Sequence, residues 1–195
     1  LRHDRSLQEY KDVLKEILQE TILVQETIEQ LFFITKKDSQ EFVNNKENIY
    51  LDEIVMEVIK QMDKIAAKKA VHLKPINILP LTIYANETLI KIAMSNIIKN
   101  AIVYSQEISE IHISMHEFDG FYTLNIIDHG CGISQENIPF IFERFYRVDK
   151  TRSRKDGGTG LGLAIVKMIL DIHHYDIEVK SVLGTGTEVI LKFRK

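Results

Sequence analysis

Asp156–Lys167 reads DGGTGLGLAIVK: three alternating glycines, Gly158, Gly160 and Gly162, stand directly before an apolar, helix-forming run. Glycine accepts positive φ and lets other groups come close, while the first turn of a helix presents unpaired N–H groups and a partial positive charge. Together they suit an anion, phosphate above all. Glycines before a helix are equally the mark of a plain flexible connection, so the reading turns on what surrounds them.

The 195 residues are enough for one domain with an appendage or two small ones, and 45% hydrophobic residues are enough to build a core. A net charge of −3 gives no global field that would draw nucleic acid. Cys131 is the single cysteine, which excludes an internal disulfide and any CxxC metal pattern and fits a reducing compartment. No apolar run approaches the ~18 residues of a membrane span. The opening LRHDRSLQEY lacks the apolar core of a signal peptide. The expectation is a soluble chain, open to being a piece of something larger.

From Arg5 to about Lys37 there is no Gly or Pro, and Leu14, Ile17, Thr21, Val24, Ile28 and Leu31 recur at alternating steps of three and four, the seam of a heptad repeat. One long helix is predicted, opened by a capping box of Ser6 and Glu9. Its seam requires cover from an upstream partner helix, a second copy or the adjoining domain, and helix-mediated dimerisation is the expectation. The polar, turn-rich KKDSQEFVNNKEN, Lys36–Asn48, marks a boundary between a helical segment, 1–43, and a larger unit, 44–195.

Within that unit YLDEIVMEVIKQMDKIAAKKA reads as an amphipathic helix, VHLK and LTIYA as short strands, and NETLIKIAMSNIIKNAIVYS as a second helix capped by Asn86. EIHISMHEF and FYTLNIID alternate as strands joined by Asp119-Gly120, a hairpin signal. The helix LGLAIVKMILDIHH follows, then strands YDIEVKSV and TEVILKF around Gly184-Thr185-Gly186. Helices alternate unevenly with an antiparallel-leaning sheet, which predicts an α+β two-layer α/β sandwich.

Asp128 ends a strand and is followed by Gly130 and Gly132, so a carboxylate stands uncrowded at a sheet edge, able to accept from an exocyclic amine such as adenine's. Asp-x-Gly is also an ordinary turn. Asn96 and Asn100, spaced i and i+4, share a helix face with Ala93 and nearly with Tyr104. Their amide oxygens suit Mg²⁺, or else the pair sits on a solvated face. RFYRVDKTRSRK, Arg144–Lys155, concentrates positive charge before the glycines and fits a polyphosphate, a nucleic acid or solvent. Ser134–Gly158 is long for a connection and reads as a lid.

GxxxxGK[ST] is absent, excluding a P-loop, and GxGxG after a loop departs from the dinucleotide GxGxxG. The ordered set NIIKNA, DHGCGI, FERFYRVD, GTGLGLAIVK and GTGT, within Asn48 to Lys195, closely resembles the N, G1, F, G2 and final glycine boxes of the ATP-binding domain of sensor histidine kinases, a GHKL-type (Bergerat) fold. RSLQEYKDVL and LFFITKKD resemble the second helix of that family's dimerisation and phosphotransfer hairpin.

The resemblance implies a catalytic fragment that binds ATP with Mg²⁺ and transfers the γ-phosphoryl group to a histidine, for relay to a response regulator. Asn96 and Asn100 would face Mg²⁺ and the phosphates, Asn100 as the metal ligand, with Tyr104 against the base and Asp128 on the adenine amino group. Gly130, Gly132 and Ile133 would shape that wall and Thr187 complete it. Phe142 and Phe145 would anchor the lid, and Arg147 would approach the terminal phosphates. Gly158, Thr159, Gly160, Leu161, Gly162 and Leu163 would surround the triphosphate. A homodimeric, cytoplasmic portion of a membrane-anchored sensor is implied, without nucleic acid.

Two departures stand out. Val103 occupies the position of a lysine common in the family, with Lys99 one turn back as a substitute. The acceptor motif H-E-[LI]-[RK]-T-P is missing; His3 lacks its context and reads as a surface histidine, and His72, His112, His116, His129, His173 and His174 form no metal-like pattern. Related ATPases carry a glutamate general base four residues before the metal-binding asparagine; Asn96 stands there, and an amide takes no proton, which favours transfer over hydrolysis. A GHKL-type ATPase and a non-catalytic nucleotide-binding module are the alternatives. Cys131 reads as a small filler or a redox switch.

Overall fold

The computed structural model describes residues 6–35, 45–118, 120–148 and 158–194. His3, the 36–44 boundary, Asp119 and the later part of the basic run lie outside the described residues.

A long helix, α1 (Leu7–Thr35), leads the chain. Its capping box forms: the Ser6 amide donates to Glu9 Oε2 at 2.6 Å and the Glu9 amide to Ser6 Oγ at 3.3 Å. Along the seam Leu14, Ile17, Val24 and Ile28 are each more than half exposed.

The remainder is a layer of helices on one face of a mixed sheet. Strand β1 (Glu47–Tyr50) pairs antiparallel with β3 (Thr82–Ala85) in a small sheet of its own. Helix α2 (Leu51–Ala67) buries Leu51, Ile54, Val55, Val58, Ile59 and Ala66, the stripe its 3.6-residue period predicts. Strand β2 (Val71–Ile76), helix α3 (Glu87–Tyr104), strands β4 (Ser109–Phe118) and β5 (Phe121–Asp128), helix α4 (Gly162–His173) and strands β6 (Asp176–Val182) and β7 (Gly186–Arg194) complete the unit. The large sheet runs β2-β4-β5-β7-β6, with β2 parallel to β4 and every other pair antiparallel.

The predicted α+β two-layer sandwich is therefore the observed class. β1 is an element that composition hides: of its residues only Ile49 is buried, so no alternation announces it, and its pairing comes from β3.

Helix α3 sits at the centre. Leu89, Ile90, Ala93, Met94, Ile97, Ile98, Ala101 and Ile102 are buried, facing the sheet and the two helices flanking α3, while Asn96 and Asn100 form a half-buried strip between them. Its N-cap is the predicted one: Asn86 Oδ1 accepts the Leu89 amide at 3.1 Å. At the other end Lys69 Nζ donates to the carbonyls of Ile102 and Val103, a cation where the helix dipole is negative.

Helix α4 ends in a left-handed residue, His174 (φ 58°), with the Tyr175 amide reaching back to Leu170 O at 2.9 Å. Glycine is the usual occupant of such a C-cap, because a Cβ there crowds the backbone by ~1 kcal/mol. His174 is exposed, so its removal forfeits no packing. His174→Gly is expected to stabilise the fold by about 1 kcal/mol, read as a raised midpoint in urea unfolding at unchanged m-value.

Candidate functional site

Asp128 closes β5 at the end of the sheet nearest the C-terminus of α3. It is one of the few buried charged groups, 7% exposed. Its Oδ1 accepts the Gly130 amide at 2.9 Å, and the Thr187 amide, opposite it in the β5–β7 register, also donates to the carboxylate. Burial is the larger influence and pushes the pKa above the usual carboxylate value, with those two amides and His129 pulling the other way. A carboxylate with two backbone donors and little water keeps lone pairs for one further N–H.

The turn after Asp128 is packed hard against α3. A methyl group at Gly130 would lie 2.2 Å from the carbonyl oxygen of Tyr104, closer than real atoms approach, so only glycine lets the turn reach the helix. The Cys131 amide then donates to that same Tyr104 oxygen at 3.2 Å. Cys131 is half-buried. On the far side the Ile133 amide donates to Ser181 Oγ at 2.8 Å, Ser181 Oγ donates to Gly186 O at 2.8 Å, and Thr187 Oγ1 lies 2.9 Å from Ser181 Oγ. Ser181 thus joins the glycine turn to the β6–β7 hairpin. Sequence reading passed it over; its signal was a small polar residue at an inward position of DIEVKSV.

The second wall is the strip on α3. Asn96 Nδ2 donates to Ile92 O at 2.9 Å, which turns Oδ1 off its own helix and towards α4, where it would lie 2.9 Å from a methyl group at Gly162. Asn100 is half-buried one turn along the same face, and Tyr104, a further turn on, is half exposed. Amide oxygens are suitable donors to a hard cation that shares its remaining sites with water and phosphate. Among the described residues no group of three or more His, Cys, Asp or Glu is placed to hold a metal.

The glycine segment closes the arrangement. Gly160 has φ 73°, and a Cβ there would meet the backbone of Phe145 at 2.8 Å. The Phe145 amide donates to Gly160 O at 2.9 Å, so the segment around Phe145 and the glycine segment are joined through main chain. Arg147, half-buried, brings Nη2 to 3.3 Å from the Cβ position of Gly158. Thr159 Oγ1 accepts the Leu161 amide and donates to Gln30 Oε1 of α1 at 2.7 Å, linking the long helix to this segment.

The structure gathers these residues in three groups: Tyr104, Asp128, Gly130, Ile133 and Thr187 about the turn after β5, Asn96 with Gly162 between α3 and α4, and Arg147 with Gly158, while Asn100 lies on α3 between Asn96 and Tyr104. Gly132 lies in the turn after β5 too, against Val182. Three expectations are corrected in detail. The Leu161 side chain is fully buried in the core, so only its backbone faces the segment, and Leu163 is half-buried. Phe145 is 58% exposed and is held by its amide rather than its ring, whereas Phe142 is half-buried. The space beside Gly160 is filled by protein backbone.

Comparison with known proteins follows this geometry. Residues 85–195 match the family described as histidine kinase-, DNA gyrase B-, and HSP90-like ATPase. The chain is 45% identical over 113 residues to the sensor histidine kinase YkoH of Bacillus subtilis, covering 58% of this chain and 24% of that protein. To the sensor histidine kinase WalK of the same organism it is 35% identical over 167 residues, 83% of this chain and 27% of the other. The chain thus spans about a quarter of the length of either relative. In fold it is similar to the Acinetobacter baumannii histidine kinase AdeS, with a TM-score of 0.74 at 20% identity over 98% of this chain and 86% of that one.

A carboxylate with a raised folded-state pKa adds stability that is complete below its unfolded value and lost as pH rises through the folded one. The stability of the native protein relative to Asp128→Asn is therefore expected to fall as pH is raised from below about 4, and then to level off. Urea unfolding of both proteins across pH 3.5–7.5 measures it; a difference constant with pH would remove the desolvation.

Proposed function

The chain belongs to the family of histidine kinase-, DNA gyrase B- and HSP90-like ATPases and carries a sensor histidine kinase catalytic ATP-binding domain; on that premise we propose that it binds Mg-ATP between α3, the Asp128 turn and the glycine segment and delivers the γ-phosphoryl group to a histidine of a bundle helix. The observation that carries this reading is Asp128: a nearly buried carboxylate, supplied with two backbone donors and placed at the end of the sheet beside the Asn96–Asn100 strip.

Asp128 accepts the adenine amino N–H, a contact whose loss leaves a buried acceptor unpaired. Tyr104 packs against the base, and Gly130, Gly132, Ile133 and Thr187 form the wall. Asn96 and Asn100 would hold Mg²⁺ and the phosphates through their side-chain amides, with Asn100 as the metal ligand. The metal supplies charge neutralisation along the phosphate chain. Arg147 adds a cation near the terminal phosphates, and Gly158, Thr159, Gly162 and Leu163 line the triphosphate, largely through backbone.

In the transfer itself an acceptor imidazole nitrogen uses its lone pair to form the N–P bond while the bond from Pγ to the bridging oxygen breaks and ADP departs; the displaced imidazole proton goes to solvent. The chain's contribution is position and electrostatics. Subsequent relay to the aspartate of a response regulator, dimerisation through the exposed seam of α1, and residence in the cytoplasmic part of a membrane-anchored sensor belong to the same proposal. The seam supports the dimer, since its apolar side chains face solvent in the single chain. Among the described residues no helix is long and apolar enough to cross a membrane.

The test is incubation with γ-labelled ATP, Mg²⁺ and a separate helical bundle bearing a phosphoacceptor histidine. Acid-labile label on the bundle is expected. Nucleotide binding without transfer to a competent bundle would favour a regulatory module instead. Asp128→Asn is expected to weaken ATP binding roughly tenfold or more, the scale of one buried hydrogen bond, by calorimetry. Asn100→Asp is expected to alter the Mg²⁺ dependence of transfer.

A further inference from the structure

His173, the last residue of α4, is 5% exposed, and both of its ring nitrogens have partners that fix its protonation. Nδ1 lies 2.7 Å from the carbonyl oxygen of Ile169, which only accepts, so Nδ1 carries the proton. Nε2 lies 3.0 Å from the backbone nitrogen of Asn86, which only donates, so Nε2 must present a lone pair. The neutral Nδ1–H tautomer satisfies both, and a second proton would set one N–H against another in a site with little water.

Asn86 is the N-cap of α3, its side chain holding the Leu89 amide and its carbonyl the Ile90 amide. His173 therefore ties the end of α4 to the beginning of α3. At the opposite end of the same helix pair Gly162 meets Asn96. The helices thus run antiparallel and touch at two stations, which ~1.5 Å of rise per residue sets roughly 15 Å apart. One station is in the nucleotide site and the other is not.

Aromatic and basic groups stand around the His173 imidazole. Tyr175 stacks on it at 6.1 Å between centroids, nearly parallel. Lys46, whose Nζ donates to Ile172 O at 2.7 Å, and His174 are the neighbouring cationic groups. Burial is the main influence lowering the His173 pKa, the Ile169 carbonyl acts against it, and Lys46 and His174 add to the lowering.

We propose that His173 is a positioning residue of the nucleotide site: its unprotonated Nε2, by accepting the Asn86 amide, sets how far α4 lies along α3 and so where the glycine segment stands over Asn96 and Asn100, and protonation as pH falls releases that pin and weakens nucleotide binding. This rests on the nucleotide site proposed above. The direction follows from the lowered pKa: the pin is intact at neutral pH, and its contribution to stability is present above the unfolded-state histidine value and lost as pH falls through the folded one.

The experiment is calorimetric titration with Mg-ADP from pH 5.5 to 8 of the native chain, His173→Gln and His173→Phe, with hydrogen exchange at the Asn86 amide followed without nucleotide. Glutamine keeps an acceptor where Nε2 stands and does not titrate. His173→Gln is expected to bind within about threefold of the native chain at pH 8 and to lack part of its loss of affinity in acid; His173→Phe is expected to bind roughly tenfold more weakly, the scale of one buried hydrogen bond. Asp128 and the nucleotide titrate alike in all three proteins, so the difference isolates His173. The Asn86 amide should be protected in the native and glutamine proteins and exposed in the phenylalanine one. Identical pH profiles for the native and glutamine proteins, or native affinity in His173→Phe, would overturn the proposal alone. Failure of the native chain to bind at pH 8 would overturn the nucleotide site and this proposal with it.

Discussion

A carboxylate nearly sealed from water is tolerable only if backbone donors are carried to it, and the geometry around Asp128 follows from that constraint. One donor comes from two residues on, at Gly130, and the other from across the sheet, at Thr187. The first requires a turn so tight against α3 that no Cβ fits at Gly130. The second requires the β5–β7 register that sets Asp128 opposite Thr187, with Ser181 bridging from β6 to hold the hairpin end to the turn. Cost and use coincide here. Desolvation makes the charge unfavourable, and the same desolvation makes a donated N–H from a ligand worth more than it would be in water.

Helix α3 supplies the complementary constraint. Most of its turns are packed, and Asn96 and Asn100 stand half-buried on a strip between flanking elements. Anchoring of the Asn96 amide to Ile92 O gives its oxygen a fixed direction, and the absence of a side chain at Gly162 lets α4 approach it. In the proposed site the rigid core would do for the phosphate end what the sheet does for the base end. The link between Thr159 and Gln30 brings the long N-terminal helix into touch with this apparatus, so that the position of α1 and the state of the glycine segment are mechanically joined.

Much of this was legible because the deciding signals are local. The Ser6–Glu9 box, the Asn86 cap and the strand FYTLNIID are each settled by residues within a few positions, and each forms as read. The glycine boxes announced a site because backbone proximity demands glycine whatever the surrounding sequence. What escaped reading depends on distant partners. β1 exists because β3 pairs with it, and only Ile49 among its residues carries an apolar mark. Ser181 and His173 look like ordinary positions in their own segments; their meaning comes from Ile133 and Asn86, the latter 87 residues away. The buried side chain of Leu161 and the exposed ring of Phe145 are not legible either, since a motif gives order along the backbone and not which way a side chain turns.

The sheet order carries a consequence for the history of each molecule. β7, the farthest along the chain of the strands described, is inserted between β5 and β6 rather than added at an edge. A nascent polypeptide still threaded in the ribosome through that strand would possess α3, its asparagines and the acidic side chain, yet lack the neighbour that shields and steadies it. The partner of β5 is therefore made only after every other element of the sheet described, and intermediates paused before the closing hairpin slots in expose an unzipped strand edge on β5 to whatever chaperone or sister chain is near.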